Sequence, residues 1–479
     1  MQLEYSFPEL ALKNPWTNLF VDRQAAVAAV SDAEILAYIR AGNYLDATGA
    51  NLLAARLAAL PPEWDVNGNG LWDGFTPDLA YSFDAEGFDI GTDGTPTGWR
   101  AFAYYPLNGT FWPTNGSTDD VLIRLPAPYR QTEAGQESRA AYKLNLAIVE
   151  ALIRRASVPI EPTDEALWGV DLDKDGTLGT ALRVAFDWAP KEGREMSYVG
   201  AARALQAAGE APLAAGLYPL GTEFIHSVRY IDFDDTTGAV RMAARLKELR
   251  YMKKTRWQSY FDRREGMLAE AKERVAFPDR IAMFFGSSEE GVSNGTGWRL
   301  QGFIEDATGS LRPQSFEETV FCIGCHGGVG VNDDDTFAFP RKLGAQFANG
   351  GWWHWSQKGL YDIPEMIRAD GQPEFAHYLL HNGAGDELRG NAEVIAKYLD
   401  AAGALRPAPV AEFRTDVSQL LYPSRGRGLA LDKAYREIVR EQSFVKGRDA
   451  TVSVQENVHR EVEQGQPTGI TTPLSPWYN

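Results

Sequence analysis

Cysteine is almost absent from this chain: two occur in 479 residues, three positions apart, at Cys322 and Cys325. That excludes a disulfide framework, which needs several paired cysteines. Long apolar runs are lacking too. No stretch approaches the ~18 consecutive apolar residues of a membrane-spanning helix, so no transmembrane segment is expected in this chain. Residues Met1 to Leu10 show neither a charged start nor an apolar stretch, so no secretory signal is visible. Positive charge is in short supply: 47 Lys and Arg against 65 Asp and Glu leave a net charge of −18. Such a surface repels phosphate backbones and argues against nucleic-acid binding. It suits either plain solubility or a partner with a basic docking surface. A P-loop, a GxGxxG fingerprint, an HExxH pair and a repeat of fixed period are all missing.

What is present is the make-up of a globular protein, with 44% hydrophobic and 23% charged residues. The length points to more than one core, since single cores rarely grow past about 250 residues. The expected fold is mixed α+β, mainly helical, with long irregular loops. Residues 23–60 read as helical, with Ser31 and Glu34 spaced as a capping box. Residues 137–156 have a broad apolar helical face, and 240–274 read as a long charged helix through Met242, Leu246, Leu249, Met252 and Trp257. A Gly/Ser-rich stretch at 286–315 suggests a boundary. The expected units are 1–310, loop-rich α+β and perhaps two domains; 311–405, helical; and 406–479, an extension packed on both.

The sharpest signal is Cys322-Ile323-Gly324-Cys325-His326, a C-x-x-C-H motif. Two thiols three apart on a helical turn can each add to one vinyl group of a haem, and the adjacent His is held beneath the iron. The alternatives are a zinc half-site and a redox dithiol. Zinc would want two more soft ligands, and no other Cys exists. A redox pair would want a preceding strand in a βαβ unit. One covalent haem c is therefore expected on Cys322, Cys325 and His326. Because such haem is attached outside the bacterial cytoplasm, a periplasmic or extracellular location follows. The missing signal then implies a mature chain with an added Met1, or a lost lipid anchor.

With these residues the chain resembles the c-type cytochrome superfamily over about 316–405. That resemblance implies a helical domain in the order attachment motif, loop, distal ligand and last helix, the last being Asn391 to Leu399. It implies a distal ligand shortly before that helix, which favours His381, followed by the turn Asn382 to Gly385. His354, inside the aromatic patch Trp352-Trp353-His354-Trp355, is the next candidate, then Met366. His377, His226, His459 or an open position complete the choices. Arg341 could pair with haem propionates. The function so implied is mono-haem electron transfer with a redox protein partner. The alternatives are a peroxidase- or oxygenase-like haem enzyme with an open distal site, and a surface binding or assembly subunit of a redox complex.

Two further segments fit the D-x-[DN]-x-[DN]-G pattern of calcium loops. The first has Asp65, Asn67, Asn69 and Gly70, with Asp73 at the ninth position; the second has Asp171, Asp173, Asp175 and Gly176. Thr76 and Leu182 stand where a Glu would close the site, so each loop must borrow ligands from elsewhere. The alternative at both is an Asx-rich turn without metal. One or two calcium ions are expected.

Overall fold

The computed structural model describes residues 12–109, 112–277, 280, 283–327, 333–382, 391–455 and 458–466. The expected segments at Met1–Leu10 and Gly383–Gly385, and the tail from 467 onward, lie outside them. The fold is 34% helix and 20% strand. Twelve strands occur among the described residues: β1 (Phe88–Ile90), β2 (Pro96–Ala101), β3 (Thr118–Asp119), β4 (Leu122–Arg124), β5 (Val158–Asp164), β6 (Thr180–Val184), β7 (Glu223–Phe233), β8 (Val240–Lys254), β9 (Phe285–Ser287), β10 (Gly291–Ser293), β11 (Trp298–Glu305) and β12 (Leu311–Pro313). Ten of them form one antiparallel sheet in the order β1-β2-β4-β7-β8-β11-β10-β9, with β3 on β7 and β12 on β11. The expectation of a mainly helical protein is thus wrong: this large sheet organises the molecule.

The error traces largely to one segment. Residues 240–254 form the longest strand, not the start of a helix; only Tyr260–Ala276 is helical there. Good helix formers with near-helical spacing were misleading because β8 is paired along both edges, with β7 and with β11. Pairing and burial outweigh intrinsic propensity. Four of the strand's charged residues, Arg245, Lys247, Glu248 and Lys254, are buried with partners rather than solvated. Arg245 meets Glu305 at 3.0 Å, and Lys247 Nζ donates to the Gly116 carbonyl at 2.5 Å. Lys254 meets Asp334 at 2.6 Å.

Several expected helices are present. Ser31 Oγ caps Asp32–Arg40 by accepting from the Glu34 N–H. Arg139–Arg154 is capped by Ser138 and buries Tyr142, Leu146, Ile148, Val149, Leu152 and Ile153. Ala392–Tyr398 is capped by Asn391. The helix Phe316–His326, which carries both cysteines, begins with a reciprocal capping box between Ser315 and Glu318. It follows β12 directly and packs on β10 and β11. A second long helix, Arg425–Glu441, packs on β7. The motif helix is thus seated on a β-sheet rather than inside a small helical bundle.

Candidate functional site

Where the motif helix meets the sheet there is a cavity of about 330 Å³, within the ~300–1,000 Å³ range of ordinary ligand sites. Cys322, Cys325 and His326 line it from the helix. His226, Val228, Glu248 and Arg250 line it from the sheet. The sheet residues share a face for a simple reason: His226 stands opposite Arg250 and Val228 opposite Glu248 in the β7–β8 register, and side chains alternate along a strand. Trp16, Trp112, Phe321 and Tyr435 supply aromatic walls. Phe321 packs on Trp16 with ring centroids 4.5 Å apart.

His326 is buried, and its Nδ1–H donates to the Asp335 carbonyl at 2.6 Å. Proton placement follows, since a carbonyl can only accept: Nε2 carries the lone pair. Binding one ring nitrogen to a backbone carbonyl is the usual way of orienting a metal-ligating His. The Asp335 turn is itself pinned, because Arg263 pairs with Asp334 at 2.7 Å and with Asp335 at 2.9 Å. Asp334 and Asp335 both have positive φ, 51° and 60°, an uncommon conformation for non-glycine residues. Burial, aided by His226 and Arg250 and partly offset by the Asp335 bond, presses the His326 imidazole down to about 4. It is neutral at ordinary pH. Burial also raises both cysteines above the usual thiol range. They are free of a disulfide.

On the opposite wall, His226 Nδ1 lies 3.3 Å from Asp119 Oδ1. Arg250 grips Glu248 with two hydrogen bonds of 2.9 and 3.0 Å, and Arg448 meets the same carboxylate at 2.5 Å. Burial alone would raise Glu248, but the two guanidinium groups outweigh it and hold the carboxyl down at about 2. The cavity thus has two imidazoles, two thiols and two cations on its walls. Among the described residues, the only group of three such ligand side chains drawn within 4.8 Å of one another is Glu165, Asp171 and Asp173. The cysteine and histidine donors are therefore spread around the cavity rather than converged on the size of a bare ion. A group large enough to touch several walls fits them better.

The structure does not bring the other expected haem residues here. His381 is exposed on the helix Glu374–Asn382, its Nδ1 on the His377 carbonyl at 2.8 Å. His354 is buried elsewhere with both ring nitrogens engaged: Nε2 with Asp120 at 2.9 Å, Nδ1 with the Ser356 N–H at 3.1 Å. Met366 packs against a separate core, the one that contains Trp353 and Phe375. Neither His377 nor His459 lines the cavity. Arg341 is locked away, donating to the Tyr105 and Pro106 carbonyls and paired with Glu374 at 2.9 Å. Its place beside the cavity is taken by Arg250 and Arg448. No local motif marks His226, Arg250 or Arg448; strand pairing and a distant return of the chain bring them to the cysteines.

The two acidic loops differ. At the first, Asp65 accepts from the backbone N–H groups of Gly68, Asn69 and Gly70. The Asn67 and Asn69 amides both donate to Asp73 at 2.8 Å. The oxygens are spent within the turn. At the second, Glu165 joins Asp171 and Asp173 in the cluster described above. Asp171 Oδ1 is buried there without a hydrogen-bond partner. Asp175 instead holds Thr177, accepting from its N–H and its hydroxyl at 2.8 Å.

Comparison with known proteins gives a family but no activity. A family model described as “-like lipoprotein” matches residues 1–410. An “Uncharacterized lipoprotein” of Aquifex aeolicus (strain VF5) is 29% identical over 528 residues, spanning 98% of this chain and 82% of that protein. No solved structure matches. The match is to a lipoprotein family and not to a cytochrome family, and this overturns the resemblance to c-type cytochromes. The electron-carrier reading and both alternatives drawn with it, the haem enzyme and the redox-complex subunit, fall for the same reason. The fold agrees, because the motif helix belongs to a sheet-based structure. No helix among the described residues is long and apolar enough to cross a membrane.

Proposed function

This chain belongs to the “-like lipoprotein” family, and from that premise we propose that it is a lipid-tethered protein outside the cytoplasm, built to hold one prosthetic group. The group is a haem joined covalently to Cys322 and Cys325. The single observation that carries the reading is the shared cavity: both thiols, His326 with its Nδ1 tied to a carbonyl, and His226 on the facing strand all line it. His326 would hold the iron from the helix side and His226 from the sheet side, replacing His381. Arg250 and Arg448 would meet the carboxylate tails, and Trp16, Trp112 and Phe321 would exclude water from the ring. When bound, the haem would supply an iron centre, with His326 and His226 as the residues that would hold it. The chain's own part is to orient those imidazoles: Asp335 fixes the His326 tautomer, and Asp119 stands at Nδ1 of His226. A lipid tether suits a folded part that has no membrane-spanning helix of its own among the described residues.

The test is expression with haem-attachment machinery, followed by a denaturing gel stained for haem. The wild type is expected to keep its colour, and Cys322→Ala combined with Cys325→Ala to lose it. His226→Ala is expected to change the visible spectrum, while His381→Ala leaves it as it was. Colour that leaves the wild type in acid acetone would defeat the reading. So would a colourless protein that carries stoichiometric zinc.

A calcium ion is proposed as a second bound group, held by Glu165, Asp171 and Asp173, with none at 65–73. Convergence of three carboxylates at the second loop supports this assignment, and Glu165 is the borrowed ligand that the loop's own spacing lacks.

A further inference from the structure

A second cavity, of about 790 Å³, lies elsewhere, along the helix Arg139–Arg154, and shares no lining residue with the cysteine cavity. Five lining cations face three carboxylates there, an excess of positive charge in a chain whose net charge is −18. The carboxylates are already engaged. Glu86 meets Lys143 at 2.5 Å and Arg139 at 3.2 Å. Glu150 is shared by Arg154 at 3.0 Å and Lys342 at 3.1 Å. Glu161 meets Lys143 at 2.8 Å from an exposed position.

Arg100 is left over. It is 4% exposed, and its guanidinium lies over the rings of Phe88 and Trp352 at 4.4 and 3.9 Å. Its Nε donates to the Glu86 carbonyl at 3.0 Å. Its terminal nitrogens find no hydrogen-bond acceptor, and no carboxylate lies within ion-pair distance, among the described residues. An unpaired buried cation is costly unless something compensates it. Burial shows its cost here: it presses Arg100 down to about 10 and Lys342 down to about 8.

We propose that this cavity binds an organic carboxylate with an apolar body, its head seated on Arg100 beside Lys342 and its body against Leu144, Val158, Ile160 and Trp168. The arithmetic of buried charge favours a monoanion: Arg100 and Lys342 against Glu150 leave one positive charge to neutralise. The planar guanidinium fork matches a carboxylate. A dianion would instead meet Glu86 and Glu150 at close quarters.

Calorimetry on the full-length protein tests this with three probes of equal chain length: decanoate, decanol and decyltrimethylammonium. Decanoate is expected to bind with one site, decanol much more weakly, and the cation not at all. Arg100→Gln is expected to weaken decanoate on the order of 30-fold, the loss expected when one partner of a buried charge pair is removed, while leaving decanol unchanged. Ala345→Trp, at an exposed rim position of the same cavity, is expected to block decanoate without touching a charge; this keeps the test decisive should Arg100→Gln fail to fold. Decanol binding as tightly as decanoate, or decanoate binding that survives Ala345→Trp, would overturn the proposal.

Discussion

In the loop at 65–73 the acidic oxygens are used up by backbone and amide groups, whereas at 165–176 carboxylates from two segments draw within 4.8 Å of one another. The two share the same Asp/Asn-x-Gly spacing. The spacing fixes the turn in both: positive φ at Gly70 and Gly176, 78° and 91°, and Asx bonds to following N–H groups. What differs is the supply of carboxylates. Asn67 and Asn69 bring N–H donors that fill Asp73. Glu289, the outside acid of the first loop, is spent on the Val66 and Asp73 N–H groups. At the second loop Asp replaces Asn, and Glu165 enters from the preceding turn; like Glu289 it accepts from backbone N–H groups, those of Leu172, Asp173 and Gly179, but its carboxylate also lies within 4.8 Å of Asp171 and Asp173. Among the described residues only the second loop draws three carboxylates within 4.8 Å of one another, and there Asp171 Oδ1 is buried without a donor.

The largest expected effect is the one that would break this contrast. Calcium at a hundredfold excess over its dissociation constant stabilises a native-only binder by about 2.7 kcal/mol. The melting temperature of the wild type is expected to rise with calcium and fall with chelator, and Asp173→Asn is expected to abolish the response. Indifference of the wild type to both reagents would leave the loops equivalent.

A smaller effect is expected at the first loop. Asp65→Ala strips three backbone N–H groups of a charged acceptor, a loss of about 2 kcal/mol. Denaturant unfolding should show the same loss in calcium and in chelator. A loss seen only with calcium would mean that this loop binds the ion after all.

The smallest effect sharpens the rule. Asn67→Asp removes a donor to Asp73 and adds a like charge at an exposed position, so a cost within about 0.5 kcal/mol is expected in chelator. If carboxylate count is what separates the loops, calcium should restore that loss. Melting curves with and without the ion read the difference directly.

Parts of the site were legible in the linear order. The C-x-x-C-H spacing places Cys322, Cys325 and His326 on one helix, and the structure sets all three on one cavity wall. The second Asp loop likewise presents Asp171 and Asp173 together. The rest of the cavity lining arrives from afar. His381 looked suitable because it precedes Asn391–Tyr398, yet it is exposed and does not line the cysteine cavity, while His226 sits 100 residues before His326 and reaches the same cavity through strand register. Arg341, expected beside haem propionates, is a buried partner of Glu374.

The sequence by itself determined what short-range physics can determine: capped helices at Asp32, Arg139 and Ala392, the tight glycine turns, and the pair of thiols beside an imidazole. Each depends on neighbours within about one helical turn. Only the tertiary structure decided that residues 240–254 extend into a strand, that His226 and Arg250 face the cysteines, and that Glu165 completes an acidic cluster. Those outcomes rest on pairing partners and burial contributed by remote segments, and such long-range terms outweigh local propensity without leaving a mark in the local spacing.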